Sequence, residues 1–278
     1  MINTALAIIV VLVGIGTFFG IVLALADKKF AMEENPLIKE VEEVLPKGQC
    51  GACGYAGCAK YAEAVVEKPE VPPNLCIPGK KAVAEKVAEL TGKKAAATEP
   101  QYAQLKCRGT KTAAIMAANY RGISDCAAAK LIQGGPKACK YGCLGFGNCV
   151  RACPFGAITM GADGLPAIDK DICTSCGKCV TTCPQSLLVL QSLKAPVQVV
   201  CSSHAKAPVA RQACKNACLG CGLCVRNCSN GAIKIDKFVA VIDSSKCLNC
   251  TDTACLSKCP TGAIKALLAA ENLTQAVS

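Results

Sequence analysis

The chain has little of what soluble enzymes usually use for packing and catalysis. Its 278 residues include 6 Phe, 5 Tyr, no Trp and one histidine, His204. With so few aromatic side chains a large conventional core is not expected, so something else must hold the compact parts together. His204 lies in the polar stretch CSSHAKAP, and we interpret it as a solvated loop residue.

Motifs for nucleotide binding and substrate chemistry are also absent. The sequence has no G-x-G-x-x-G between strand and helix, no G-x-x-x-x-G-K-[ST], and no nucleophile beside a plausible base. The formal charge of +11 comes from scattered Lys and Arg, which does not favour nucleic-acid binding. The basic surplus is instead expected to offset anionic cofactors and to help steer an acidic redox partner.

Cysteine is the residue that the chain has in excess, with 24 in 278 positions. Such a content is typical either of a secreted disulfide scaffold or of a protein rich in metal clusters. The compartment and the spacing of the cysteines distinguish these two classes.

The N-terminal run ALAIIVVLVGIGTFFGIVLALA, residues 5–26, carries no charge. As a helix it would extend about 33 Å, enough to cross a bilayer. A signal peptide cleaved after the ALA at 24–26 is the alternative, but no Lys or Arg precedes the run, so residues 1–26 are predicted to be an uncleaved transmembrane anchor. Lys28 and Lys29 follow it and predict a single-pass protein of the cell (inner) membrane with its soluble domains in the cytoplasm. In that reducing compartment the cysteines are expected to bind metal.

The first group of cysteines is predicted to hold one [4Fe–4S] cluster in a small helical domain, residues 27–93. Its ligands follow C-x2-C-x4-C-x17-C: Cys50, Cys53, Cys58 and Cys76. Zinc is the alternative, although Cys₄ zinc sites usually use two C-x-x-C pairs. Helices are predicted over 57–68 and over 81–92, the second ending at Gly92. Residues 94–106 are then expected to be a linker.

Two ferredoxin-type domains are predicted after the linker, over residues 107–192 and 193–266, with a C-terminal tail over 267–278. The stretch CLGFGNCVRACPFGAI, from Cys143, is repeated as CLGCGLCVRNCSNGAI, from Cys218. In the first domain C-x2-C-x2-C-x3-C-P, from Cys173, is the bacterial ferredoxin run, in which the fourth cysteine of each run ligates the other cluster. GAITMGADGLPAID is predicted to be a β-hairpin.

One cysteine of this repeat is missing, because Phe146 stands where the second copy has Cys221. Cys139, four residues before Cys143, is the predicted replacement. If instead Cys107–Cys139 and Cys201–Cys214 are equivalent structural pairs, Cys126 is the replacement.

Five [4Fe–4S] clusters are therefore expected, with a sixth left open. Beyond the first, the predicted ligand sets are Cys139, Cys143, Cys149 and Cys183; Cys153, Cys173, Cys176 and Cys179; Cys218, Cys221, Cys224 and Cys259; and Cys228, Cys247, Cys250 and Cys255. The remaining Cys107, Cys126, Cys201 and Cys214 are expected to be buried thiols, with disulfides or a sixth cluster as alternatives. The predicted class is α+β: a transmembrane helix, a small helical four-cysteine domain and two pseudo-symmetric bacterial-ferredoxin-like domains.

An N-terminal apolar helix, the Cys50–Cys76 module and two ferredoxin-type domains in this order resemble the B subunit of the Rnf complex, the ion-translocating ferredoxin:NAD⁺ oxidoreductase. The resemblance covers essentially the whole chain. It implies a membrane-bound, non-catalytic electron-relay subunit of that translocase, which receives electrons from soluble ferredoxin and passes them to other membrane and flavin subunits.

Three other functions remain as alternatives. One is a polyferredoxin subunit of a hydrogenase- or corrinoid-protein-associated membrane complex, since the four-cysteine module also occurs there. A structural protein built on zinc modules is another. An enzyme with a three-cysteine, open-iron cluster at the Phe146 site is the third.

Overall fold

The computed structural model describes residues 2–30, 35–95, 99–248, 250 and 252–267, with side chains of the first helix described over 10–26. The helices are α1 (Ile2–Phe30), α2 (Pro36–Val44), α3 (Cys58–Glu67), α4 (Lys80–Thr91), α5 (Cys126–Leu131), α6 (Asn148–Arg151), α7 (Lys178–Thr182), α8 (Ala207–Ala213), α9 (Leu223–Arg226), α10 (Ser244–Cys247) and α11 (Ala254–Ser257). The strands are β1 (Gln101–Leu105), β2 (Ile158–Met160), β3 (Pro166–Ile168), β4 (Leu188–Ser192), β5 (Val197–Val199), β6 (Ile233–Asp236), β7 (Val239–Ile242) and β8 (Ile264–Ala266). Mixed helix and strand content agrees with the predicted α+β class.

The N-terminal helix α1 includes residues 2–26 of the predicted membrane anchor, whose first residue lies outside the described residues. Its described large apolar side chains, from Val10 to Leu25, are exposed. Within the residues that the structure describes, no helix is both long and apolar enough to cross a membrane.

Helices α2, α3 and α4 form the four-cysteine domain around a small apolar core. Val41, Tyr61 and Val87 are almost fully buried there. The two helices predicted from the sequence are confirmed as α3 and α4, and Gly92 ends α4 in the left-handed conformation, with φ of 67°. Lys93 donates hydrogen bonds to the carbonyl oxygens of Val65 and Lys68 at the end of α3, and to that of Val71. A cation at a helix C-terminus is favourable, so Lys93, which follows α4, stabilises the packing of α4 against the end of α3.

Each ferredoxin-type domain has the same topology: an outer antiparallel strand pair and an inner β-hairpin. The outer pairs are β1–β4 and β5–β8, and the hairpins are β2–β3 and β6–β7. The predicted hairpin is confirmed, with Ile158 opposite Ile168. The sequence repeat is therefore a structural repeat.

The linker predicted over residues 94–106 is wrong in its second half, because residues 101–105 form β1. Gln101 to Leu105 pair in register with Ser192 to Leu188 of β4. Tyr102, Ala103 and Leu105 are buried by this pairing. The partner strand lies more than 80 positions further along the chain, so nothing local in KKAAATEPQY indicates a strand.

The two ferredoxin-type domains contact each other through the segment 106–115. The Arg108 guanidinium donates to the Gly262 carbonyl at 2.6 Å, and the Asn216 amide donates to the Arg108 carbonyl at 3.0 Å. Ala114 forms an isolated antiparallel bridge with Cys214. Side-chain and backbone hydrogen bonds thus join the two domains beside several of the cysteines.

Candidate metal centres

The 24 cysteines are all free thiols, and most are partly or fully buried. Within the described residues, no group of three or more His, Cys, Asp or Glu closes on a single metal ion. Four mainly apolar pockets, each with about 340–400 Å³ of space that is partly open to solvent, are instead lined by four cysteines apiece.

The first pocket lies in the four-cysteine domain and contains all four predicted ligands. Cys50, Cys53, Cys58 and Cys76 line about 350 Å³. The loop around them turns at Gly51 and Gly54, whose φ values are 70° and 86°. Burial raises the pKa of the Cys76 thiol to about 11. A thiolate at Cys76 therefore needs a bound cation, and metal binding would release a proton.

The second ferredoxin-type domain holds two more such pockets, and both match the predicted ligand sets. One is lined by Cys218, Cys221, Cys224 and Cys259. The other is lined by Cys228, Cys247, Cys250 and Cys255. Four residues separate Cys250 from Cys255, two more than separate Cys176 from Cys179 in the first ferredoxin-type domain, yet both cysteines line the same pocket.

In the first ferredoxin-type domain the structure also brings together Cys153, Cys173, Cys176 and Cys179. Burial, and after it the neighbouring thiolates of Cys173, Cys176, Cys149 and Cys153, raise the pKa of Cys179 to about 12. The backbone N–H of Ala103, in β1, donates to Cys173 Sγ at 3.4 Å. Amide-to-sulfur bonds of this kind stabilise a thiolate-held cluster.

The fourth pocket brings Cys126, and not Cys139, together with the other three cysteines of the predicted set. About 400 Å³ is lined by Cys126, Cys143, Cys149 and Cys183. Cys139 does not line this pocket. The Cys139 sulfur lies next to Gly142: a Cβ added to Gly142 would be 3.7 Å from it. The nearest spare cysteine in the sequence is not the nearest in space.

Cys126 reaches the pocket because a side-chain network fixes its helix to α6. Asp125 caps α5 by accepting a hydrogen bond from the Ala128 N–H at 2.9 Å. Asn148 donates its amide to Asp125 at 2.6 Å and accepts the Cys126 N–H at 2.9 Å. The Ala128 amide and then Asn148 lower the pKa of Asp125, so the carboxylate stays charged well into the acid range. The network holds Cys126 beside Cys149.

Asn148 is the functional residue that the sequence interpretation missed. The second copy of the repeat has Leu223 at this position, beside its complete cysteine motif. A signal was present, since the only copy that lacks a motif cysteine is also the copy with a polar residue here. His204 lies outside all of the cysteine groups, exposed as predicted, with Nδ1 3.1 Å from the Lys237 carbonyl.

These sites fit iron–sulfur clusters. Soft thiolates in sets of four, with apolar walls and N–H donors aimed at sulfur, are the ligand environment of [4Fe–4S] clusters. The sets surround free space instead of converging on one point, as the ligands of a bulky cofactor must. The fold and sites together define a protein of the polyferredoxin class.

Comparison with known families agrees with this class. A family model described as "Putative Fe-S cluster" matches residues 45–78. A second, the "4Fe-4S dicluster domain", matches residues 138–187 and 217–263. The chain therefore carries iron–sulfur cluster domains in all three of its cysteine-rich regions.

Relatives of nearly full length identify the family. The chain is 57% identical over 98% of its length to the B subunit of the proton-translocating ferredoxin:NAD(+) oxidoreductase complex of Clostridium ljungdahlii, and covers 96% of that protein. It is 40% identical over 95% of its length to the Na(+)-translocating counterpart of Acetobacterium woodii, of which it covers 78%. It is 39% identical over 92% of its length to the B subunit of the ion-translocating oxidoreductase complex of Methanosarcina acetivorans, covering 96% of it. The chain belongs to the family of Rnf complex B subunits, the iron–sulfur component of a translocating oxidoreductase.

Proposed function

We propose that this chain is the membrane-anchored electron-transfer subunit of a redox-driven, ion-translocating ferredoxin:NAD⁺ oxidoreductase complex. It accepts electrons from reduced soluble ferredoxin and relays them to the membrane and flavin subunits. Five cysteine sets hold its [4Fe–4S] clusters, with Cys126 in place of Cys139 in the set of Cys143, Cys149 and Cys183. When bound, such clusters supply one-electron transfer at low potential.

Contacts between neighbouring cysteine sets carry the proposal, because a relay needs adjacent centres. Burial raises the pKa of Cys176, and the thiolate of Cys50 in the four-cysteine domain also raises it. The cysteine set of that domain therefore lies beside the Cys176 set of the first ferredoxin-type domain. The Phe155 ring reaches the same junction, where a Cβ on Gly48 would lie 3.1 Å from it. The pKa of Cys255 is likewise raised by burial and, among other thiolates, by Cys224 of the neighbouring set.

An anchoring role for residues 1–26 is supported by α1. Its described large apolar side chains are between 44% and 68% exposed, with Phe18 at 63% and Phe19 at 58%. A bilayer would cover them, with Lys28 and Lys29 placing the cluster domains in the cytoplasm. Deleting residues 2–30 should move the chain from the membrane to the soluble fraction, while a salt wash should leave the full chain bound.

Soluble ferredoxin is supported as the donor by the names of the relatives. Five clusters of about −2 each would offset nearly all of the formal charge of +11, so the net charge adds no support of its own. The three domains of the proposal divide near residues 93 and 192, with β1 belonging to the second.

The test is anaerobic reconstitution of the full chain in detergent, followed by iron and sulfide analysis and titration with reduced ferredoxin. We expect at least about 20 irons per chain, four for each cluster, and bleaching of the visible absorbance by reduced ferredoxin. Oxidised ferredoxin is the control. An iron content near two, zinc in place of iron, or a chromophore that dithionite reduces and ferredoxin does not, would contradict the proposal.

A further inference from the structure

The inner hairpin of the second ferredoxin-type domain has a strained turn. Asp236 of β6 pairs with Val239 of β7, so Lys237 and Phe238 alone form the turn. Both have positive φ, 42° and 66°. Two-residue turns of this kind are normally made by Asn-Gly or Asp-Gly, because a larger side chain strains the left-handed backbone. For an aromatic residue this conformation is an outlier, so the tip carries Lys237 and Phe238 at the expense of stability.

The first ferredoxin-type domain shows that the fold does not require this strain. Its hairpin β2–β3 closes through ordinary turn residues, Gly161, Ala162, Asp163 and Gly164. Gly164 takes the left-handed position there, with φ of 80°. Strain that is present in one copy of the repeat and absent from the other indicates a role of the tip beyond folding.

The strained tip presents apolar side chains to solvent beside a cluster site. Phe238 is 47% exposed, and Ile235, 37% exposed, lines the same pocket as Cys221. The Phe238 carbonyl oxygen would lie 2.7 Å from a Cβ on Gly220, the residue before Cys221. Cys221 is also the only exposed cysteine of the 24. The set that contains Cys221 therefore reaches the surface next to the tip.

The equivalent site of the first ferredoxin-type domain is covered. Phe146 stands at the position of Cys221, is half-buried, and packs against Tyr120 with ring centroids 5.1 Å apart. Cys126, which completes that set of four, is 9% exposed. Of the two equivalent sites, only the one in the second domain offers a cysteine at the surface.

Basic side chains surround the exposed cysteine. Arg226 is exposed and lies beside Gly222, since a Cβ on that glycine would be 3.7 Å from Arg226 Nη1. Lys237 is exposed at the tip itself. Residues 200–242 contain six Lys or Arg and one acidic residue, Asp236, so their charge stays positive even beside two clusters of about −2 each. Apolar side chains with basic neighbours fit an acidic partner and repel a basic one.

His204, the only histidine, supports the tip from outside the hairpin. Its Nδ1 lies 3.1 Å from the Lys237 carbonyl oxygen. Because a carbonyl only accepts, Nδ1 carries the hydrogen and donates it. The His204 ring also meets Tyr141 of the first ferredoxin-type domain edge-on, with centroids 5.4 Å apart. The tip is thus held in place before a partner arrives, which lowers the entropy lost on binding.

We propose that Phe238, Ile235 and Lys237, with Arg226 at the rim, form the docking surface for a small acidic one-electron donor, and that electrons enter the chain at the Cys221 set. The identity of this donor as reduced ferredoxin rests on the proposed function, whereas the surface rests on the contacts above. In the step, the donor is oxidised by one electron and the cluster of the Cys221 set is reduced by the same electron. No covalent bond forms or breaks.

The test replaces the strained turn with an ordinary one. Lys237→Asn combined with Phe238→Gly introduces Asn-Gly, so the midpoint of thermal unfolding should not fall. Binding of oxidised ferredoxin to the anaerobically reconstituted full chain in detergent, measured by calorimetry, should weaken about tenfold or more, because an aromatic anchor is lost. In stopped-flow experiments at low concentration, reduced ferredoxin should reduce the variant more slowly by a similar factor. Dithionite, which needs no docking surface, should reduce the variant as fast as the wild type.

Three single variants assign the effect to particular side chains. Phe238→Ala removes the ring and keeps the left-handed backbone, so it should weaken binding without any change of turn. Lys237→Gln should weaken binding at low salt and have little effect at high salt, where the charge is screened. Val209→Ser removes an apolar side chain that is 57% exposed on α8 of the same domain, and should leave binding unchanged.

The outcomes distinguish the docking surface from the proposed function. If ferredoxin reduces the wild type and the Asn-Gly and Phe238→Ala variants bind it as tightly as the wild type does, the docking surface is overturned and the proposed function stands. A wild type that ferredoxin neither binds nor reduces would overturn both. Unchanged ferredoxin binding, with loss of co-purification with the other subunits of the complex, would assign the tip to a subunit interface and also overturn the docking surface.

Discussion

At the residue scale, the two copies of the repeat differ in which cysteine completes one set of four around a pocket. In the second copy it is Cys221, from within the motif; in the first, where Phe146 stands at that position, it is Cys126 from a separate helix. The Phe146 ring packs instead against Tyr120, with ring centroids 5.1 Å apart. In the first copy the motif position thus holds a packing residue, Phe146, and the fourth cysteine of the set, Cys126, lies 20 positions earlier in the chain.

Replacing Cys126 by serine should remove one cluster, about four irons, from the first ferredoxin-type domain. A hydroxyl is a much poorer ligand for iron than a thiolate, so three cysteines would remain. Iron analysis together with native mass spectrometry measures the loss. Ala127→Ser, at the next and exposed position, should lose nothing.

A second substitution, at Phe146, should rescue the Cys126→Ser variant. Adding Phe146→Cys to the Cys126→Ser variant restores the motif of the second copy and should restore the lost cluster. Retention of every cluster in Cys126→Ser alone would show that another cysteine ligates this centre.

At the scale of elements, Asn148 at the start of α6 links the capped helix α5 to the cluster pocket. Replacing Asn148 by leucine, the residue at the corresponding position 223 of the second copy, tests this link. Asn148→Leu removes the amide that accepts the Cys126 N–H and donates to Asp125. Cluster loss on mild chelation should become several-fold faster at this site only. The reverse exchange, Leu223→Asn, should leave the second domain unchanged, and equal effects of both would contradict the assigned role.

The inner hairpins approach the cysteine loops so closely that only glycine fits. A Cβ on Gly220, with φ of 61°, would lie 2.7 Å from the Phe238 carbonyl oxygen, and Gly145 meets the Gly164 carbonyl in the same way. Gly231 has a similar φ, 59°, with no atom within 4 Å. The hairpin tip thus packs directly against the cysteine loop.

Gly220→Ala should therefore destabilise the second ferredoxin-type domain more than Gly231→Ala does. Left-handed strain costs each variant about 1 kcal/mol, and only Gly220→Ala adds a backbone clash. The temperature at which visible absorbance is half lost on anaerobic heating compares the two. Equal decreases of this temperature in the two variants would mean that the hairpin moves away from the new Cβ with no loss of stability.

At the scale of the whole molecule, the two kinds of domain depend on metal to different degrees. Ligand cysteines make up much of the buried core of both ferredoxin-type domains. The core of the four-cysteine domain instead consists mainly of Val, Leu, Ala and Tyr, including Val41, Val65 and Tyr61. Cysteines are 4 of 12 and 3 of 11 buried core residues in the two ferredoxin-type domains, against 1 of 9 in the four-cysteine domain, so removing iron disturbs the first kind of core more than the second.

Iron removal should unfold residues 99–267 while α2, α3 and α4 keep their protection. Hydrogen exchange with and without clusters, under anaerobic conditions, measures this by segment. Metal binding and folding are coupled where the ligands are the core, and much less so where they lie at its edge. Loss of protection in all three domains together would contradict this division.

Features set by near neighbours in the chain could be predicted from the sequence alone. The cysteine sets of the four-cysteine domain and of the second ferredoxin-type domain are confirmed to line common pockets, because short spacing through glycine-rich loops leaves few ways to fold them. Helices α3 and α4 and the hairpin β2–β3 followed from local periodicity and turn residues. The family also followed, since the order of the modules is itself a sequence property.

Only the tertiary structure decided what depends on contacts between distant segments. It paired β1 with β4 and selected Cys126 over the nearer Cys139. The segment 107–138 can close in many ways of similar chain entropy, so its sequence does not say which cysteine it delivers. Packing between the domains and the Asp125–Asn148 network choose one closure, and these interactions exist only once the chain has folded.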